Sequence, residues 1–351
     1  MMADAQSMNV EAVTKYWQLT EGLKQDRPLS DSEWRAFIAI EGNATYAESE
    51  FTPEYLAAYR RALEIVYMPK NDSLLQKSLK AQYWYVILAK RYKDEEAALK
   101  KYLADTVLQP DYFNQAYQYV YEYLPAAAHH PVAGLKLYYN CLSNDAVSYP
   151  NGLFFSLLSL VENKKSKAGT LEAHELHHRL RPNMDLGNEH SRAHGIAATD
   201  TGLVWALSAI PNEGIADMID KSWTLAQPGD PQGITDWLLT PAPAAIRSLD
   251  SMISSYGSVQ PQTAPAKKYF RNLLKGTVGH MPGFYMARII VKNGLKQEMI
   301  DRSNDPFSFF LLYNKAAKKD PSHPPLFWNH SITRLRQLQK MYRTDVMVPG
   351  D

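Results

Sequence analysis

The sequence has a single cysteine, Cys141, in 351 residues. One thiol excludes an internal disulfide and any zinc site built from cysteine clusters, so a bound metal must take its ligands from His, Asp or Glu. Cys141, close to Leu137–Tyr139, reads as a buried apolar thiol. Charge of one sign is missing too: 38 basic residues against 37 acidic ones give a formal net charge of +1. That balance lacks the dense positive field that nucleic-acid binding needs. The most basic stretch, Arg334 to Arg343 with Arg336 and Lys340 between, reads as the solvated face of a terminal helix. No apolar run reaches the ~18–20 residues of a membrane helix, so no membrane span is expected. Met1 to Val10 is polar and lacks the charged-then-apolar pattern of a secretory leader. This favours the cytoplasm, whereas the doubled Met1–Met2 also suits an exported protein whose leader has been removed. The compartment stays open on sequence alone.

Aromatic side chains are plentiful, with 22 Tyr, 11 Phe and 7 Trp, and hydrophobic residues make up 45%. Such a chain can bury a large core and is folded rather than disordered. Helical signals dominate the first third. Ser30 or Asp31 can cap a helix, with Glu33 placed as a capping-box partner of Ser30, and Thr52-Pro53 opens another whose apolar face includes Leu56, Tyr59, Leu63 and Val66. Further helices are predicted over 72–92, 94–108 and 111–124. After Pro125 the pattern changes. Residues 134–142 and 152–161 are short, aromatic and β-capable, with a turn-rich stretch over 143–151 between them. A helix is then predicted from Thr170 through Leu180, followed by helices over 201–210, 212–225, 268–275, 282–293, 307–319 and 330–342, with a Pro/Gln/Ser-rich interruption at 258–266. The reading is α+β in class and mostly α-helical, with a small sheet: a helical N-terminal layer over 1–125 and a second region over 126–351.

Residues 174–178 read His-Glu-Leu-His-His and satisfy H-E-x-x-H. On a helix His174 and His178 lie one turn apart on one face, so their imidazoles can share a metal ion. Glu175 is then the general base and acid for a water on that metal. His177 lies roughly 100° around the helix from His178 and faces elsewhere. The continuation separates two classes of zinc site. A metzincin needs Gly at 181 and His at 184, where this chain has Arg181 and Met184. A gluzincin needs a Glu on a later helix and an acidic residue one turn on, which orients a metal-bound imidazole.

The segment Asn212-Glu213-Gly214-Ile215-Ala216-Asp217, beginning 34 residues after His178, supplies that pattern. Glu213 is the candidate third ligand and Asp217 the carboxylate behind it. Asn212 is expected to cap the helix, and Gly214 to let it approach a neighbour closely. Without the preceding motif, the same acidic pair would be an ordinary helix N-terminus favoured by the helix dipole. His190 and His194 are also four apart, but their Gly- and Asn-rich setting reads as a loop. His129-His130 before Pro131 reads as a surface turn.

H-E-x-x-H followed by N-E-G-x-A-D resembles the thermolysin-like gluzincins. More closely, the chain is similar to a bacterial family of zinc-dependent peptidases, a likeness that includes Gly279-His280-Met281-Pro282-Gly283-Phe284-Tyr285-Met286-Ala287 and Asp305-Pro306-Phe307 and runs from about Gly134 to Lys319. The resemblance implies a zincin-like catalytic core with added helices, its sheet beside the H-E-x-x-H helix. It also implies one Zn²⁺ per chain, a peptide or protein substrate, and His280 or Tyr285 as hydrogen-bond donor to the oxyanion of the tetrahedral intermediate. Gly279 and Gly283 are expected to permit close approach of substrate. Residues 152–161 are the expected edge strand that pairs with it. Two further readings stand beside a peptidase: an inactive helical binding protein that keeps a relic or structural metal site, and a zinc hydrolase acting on a non-peptide bond.

Overall fold

The computed structural model describes residues 6–165, 167–182, 200–255, 267–274 and 276–342. The chain divides into two compact units, Met1–Tyr117 with Pro131–Arg179, and Gln118–His130 with Leu180–Asp351. These limits differ from a division at residue 125, because the N-terminal residues pair directly with the sheet. The protein is mostly helical with a four-stranded sheet, as its α+β reading expected. Among the described residues no helix is long and apolar enough to cross a membrane.

The first unit opens with β1 (Ser7–Asn9), α1 (Glu11–Lys24), α2 (Asp31–Ile38), α3 (Glu41–Glu50) and α4 (Pro53–Tyr67). It continues through α5 (Asp72–Lys80), α6 (Trp84–Asp94), α7 (Glu96–Tyr102) and the start of α8 (Tyr112–Tyr121). Then come β2 (Lys136–Asn140), β3 (Ala146–Tyr149), β4 (Gly152–Ser156), α9 (Leu157–Asn163) and α10 (Thr170–Leu180). Ser30 and Glu33 form the expected capping box at α2, and Thr52 caps α4. The segment 72–92 is two helices rather than one, broken where Gln82 takes φ +54°.

The strand order is β1-β2-β4-β3, with β1 and β4 parallel to β2 and β3 antiparallel to β4. Three expectations are corrected here. Residues 143–151 are not turn alone but contain β3, paired from Ala146↔Phe155 to Tyr149↔Gly152. The strand predicted over 152–161 ends at Ser156, whose hydroxyl accepts from Ser159 N and starts α9. Finally, β4 lies between β2 and β3 and is buried at every residue, so it is an interior strand and cannot offer substrate a free edge. Its unbroken apolar run Leu153-Phe154-Phe155 is the mark of a strand covered on both faces.

Four tyrosines serve the segment leaving β2. The hydroxyls of Tyr59, Tyr55 and Tyr92 donate to the carbonyls of Cys141 (2.5 Å), Leu142 (3.0 Å) and Ser143 (2.6 Å), and Tyr46 bonds Ser143 Oγ at 2.6 Å. Buried carbonyls left without a donor each cost ~1–3 kcal/mol. Long aromatic side chains reach them from α3, α4 and α6 while filling the core. Cys141 is buried, as expected.

The second unit holds α11 (Thr201–Leu225), α12 (Ala242–Ser255), α13 (Lys267–Leu273), α14 (His280–Lys292), α15 (Lys296–Asp301), α16 (Pro306–Ala317) and α17 (Asn329–Tyr342). One apolar cluster joins them, including Leu207, Ile210, Phe284, Phe310 and Leu335. Here the two helices predicted over 201–210 and 212–225 are a single 25-residue helix with Pro211 inside it. An interior proline forfeits one backbone hydrogen bond and normally costs ~3 kcal/mol. The helix persists because α14 packs backbone to backbone along this stretch: a Cβ on Gly214 would lie 2.3 Å from the carbonyl carbon of Gly283, and one on Gly283 would lie 2.2 Å from Ile210 O. The basic stretch in α17 is not wholly solvated, since Arg334 pairs with the buried Asp200 at 3.4 Å.

Candidate metal centre

The described site residues are drawn from both units and are taken unit by unit. In the first, α10 spans the residues its sequence pattern predicts. His174 and Glu175 are buried, and His178 is half-buried. The rings of His174 and His178 lie 5.0 Å apart between centroids, crossed at 82°, as two imidazoles one turn apart on one face should be. His177 is fully buried, turned into packing rather than toward solvent.

Glu172, which sequence reasoning passed over, anchors this helix. Its buried carboxyl accepts from Tyr112 on α8, whose hydroxyl is 3.0 Å from that of Tyr102. Burial pushes the Glu172 pKa up to about 7, against the lowering effect of the Tyr112 bond. A folded value above the unfolded one gives stability that is full below the ordinary carboxylate range and lost as pH rises through about 7. The expected loss between pH 4.5 and 7 is on the order of 3 kcal/mol. Thermal melts across this range should show a shallower decline in Glu172→Gln than in wild type; parallel curves would remove Glu172 as the cause.

In the second unit, Glu213, Asp217 and His280 come together. His280 Nδ1 lies 3.0 Å from both carboxylate oxygens of Asp217, and its Nε2 lies 3.3 Å from Glu213 Oε2. Asp217 is fully buried and Glu213 half-buried. Lys221 Nζ approaches Asp217 at 3.6 Å and the buried Asp220 at 2.6 Å. Burial lowers the His280 pKa, but the carboxylates of Asp217 and Glu213 outweigh it, and the net direction is upward.

Other expected residues fall elsewhere. Asn212 does not cap a helix, because α11 runs through it without interruption; its amide instead donates to Glu213 Oε1 at 3.0 Å. Gly279 and Gly283 are approached by the backbone of α11 rather than left clear for substrate, with a Cβ on Gly279 falling 2.7 Å from Ala209 O. Tyr285 is not brought to His280. Five residues further along α14 it points roughly 140° away, packed against the apolar cluster, where burial and then Asp320 raise its pKa while Arg288 and Arg247 oppose. His129 forms part of a turn, bonding Leu124 O at 2.9 Å and stacking on Tyr121. His190, His194 and the 258–266 interruption lie outside the described residues.

These donors suit zinc: two imidazole nitrogens on one helix, and a carboxylate cluster on another that includes Glu213, Asp217 and Asp220. The sequence model of a family described as "Putative zinc dependent peptidase (DUF5700)" matches residues 34–322. The chain belongs to this family. The DUF5700 match includes His174, Glu175, His178, Glu213, Asp217 and His280, and it starts in α2, so the helices from α3 onward in the first unit fall within it as well, while α1 precedes it. Neither a search of curated proteins nor one of solved structures gives a match.

Proposed function

We propose that the protein is a gluzincin-type zinc peptidase in which His174, His178 and Glu213 hold one Zn²⁺ and Glu175 serves as general base and then acid. The observation that supports this most is the pairing of chemistries: α10 presents two imidazoles on one face, and the half-buried Glu213 of α11 sits beside Asp217 in a carboxylate-rich cluster suited to a cation. When bound, zinc would lower the pKa of a coordinated water toward neutrality and polarise the substrate carbonyl.

The chain's own residues supply the rest. Glu175 takes a proton from the attacking water and passes it to the leaving amine. Asp217 accepts a hydrogen bond from His280 Nδ1, which fixes the ring; in the protonated imidazole that the two carboxylates favour, Nε2–H, which lies 3.3 Å from Glu213 Oε2, would also serve developing negative charge on the substrate oxygen. Asn212 steadies Glu213 through its amide. An extended peptide would add to the outer edge of β3, the last strand of the sheet. The test is chelator-sensitive cleavage of a random peptide library by the zinc-loaded protein. Cleavage restored by zinc supports the reading, and no zinc-dependent cleavage of any peptide contradicts it.

A further inference from the structure

We infer that Trp237 and Val278 form an apolar shelf beside His280 that receives a large apolar side chain of the substrate. The preferred substrates are then peptides with an aromatic or branched aliphatic residue next to the scissile bond. This deepens the peptidase reading and rests on it.

Single exposed hydrophobic residues are ordinary on protein surfaces. Three observations separate these two from that background. The first is position. The indole of Trp237, 48% exposed, lies 6.3 Å from the His280 ring between centroids, and Val278, 40% exposed, precedes His280 by two residues. Both lie next to an imidazole that faces Glu213 and Asp217.

The second is backbone cost. Val278 takes φ +55°, in the left-handed region that a β-branched residue rarely adopts. Glycine would hold that conformation without strain, yet a branched apolar side chain stands there and faces solvent. Strain kept at such a position is typical of functional sites. Trp237 sits on a π-helical turn, Thr235–Leu239, a geometry that also concentrates at functional sites.

The third is rigidity. Ile234 and Leu238, which flank the indole in sequence, are fully buried, and the Asp230 carboxylate accepts from Ile234 N at 2.8 Å and Thr235 N at 2.6 Å. The turn is therefore fixed from below while its tryptophan is held outward. A preorganised aromatic face binds an apolar side chain with little entropy to lose.

The test uses blocked Ala/Gly hexapeptides carrying one central Phe, Leu, Ser or Asp. Their binding to the zinc-loaded Glu175→Gln protein is measured by calorimetry, with Trp237 intact, as Trp237→Ala and as Trp237→Phe. The expected result is preference for the Phe and Leu peptides, reduced roughly 10- to 100-fold by Trp237→Ala and largely restored by Trp237→Phe, with Ser and Asp peptides little changed. Equal discrimination in Trp237→Ala overturns the inference, as does the absence of peptide binding. Wild-type cleavage separates the two claims. Trp237-dependent binding without cleavage keeps the shelf and removes the peptidase reading. Cleavage indifferent to Trp237→Ala keeps the peptidase and removes the shelf.

Discussion

Glu175→Gln is expected to lower peptide cleavage by about 10³-fold or more while leaving bound zinc in place. The substitution keeps the size and most of the packing of a side chain buried in α10, but an amide cannot take the proton of the attacking water. General acid–base catalysis typically contributes 10²–10⁴-fold, and here one carboxylate serves in both directions. The metal-binding atoms proposed for His174, His178 and Glu213 are untouched, so zinc content should equal that of wild type. Loss of both zinc and activity would make Glu175 a structural residue. Retained activity would remove it from the chemistry and leave the Glu of H-E-x-x-H without a catalytic purpose.

Gly214→Ala is expected to destabilise the protein by ~3 kcal/mol or more and to lower its melting temperature by roughly 4 °C or more. The added methyl would sit 2.3 Å from the carbonyl carbon of Gly283, where the obstruction is backbone and cannot rotate away. Helices α11 and α14 would have to separate. That movement would also draw His280 away from Asp217, so activity should fall even where the fold survives. Gly283→Ala obstructs the same contact, with its methyl 2.2 Å from Ile210 O. The double substitution should therefore cost less than the sum of the two, because one separation relieves both clashes. Thermal and denaturant unfolding of the single and double variants checks this; a melting temperature within about 2 °C of wild type for Gly214→Ala would contradict the backbone contact.

How much of this was legible in the sequence depends on the range of the forces involved. The limits of α10 and the shared face of His174 and His178 follow from spacing within one helix, where i and i+4 neighbours are fixed by geometry. The same holds for Glu213 and Asp217, and it explains why Gly214 could be read as a point of close approach. Features set by tertiary contact were not readable. Pro211 marks a helix boundary by local rules, and only the packing of α14 on α11 overrides them.

The strand β3 lies in a segment whose Asn, Asp and Pro residues signal turns, and its pairing with β4 supplies the order that propensity does not. Similarly, β1 holds only three residues and takes its structure from β2. Trp237 carries no sequence pattern at all. Its place beside His280 comes from a π-turn and the start of α14, over forty residues apart in the chain.

The central claim is that one zinc ion is held by His174, His178 and Glu213, and metal analysis of the purified protein tests it most directly. Zinc-reconstituted wild type should retain one zinc per chain after exhaustive dialysis. His178→Ala and Glu213→Ala, each shown to be folded by circular dichroism, should retain far less, and Glu175→Gln should match wild type. Full zinc retention in folded Glu213→Ala, or no retained zinc in wild type, would contradict the account.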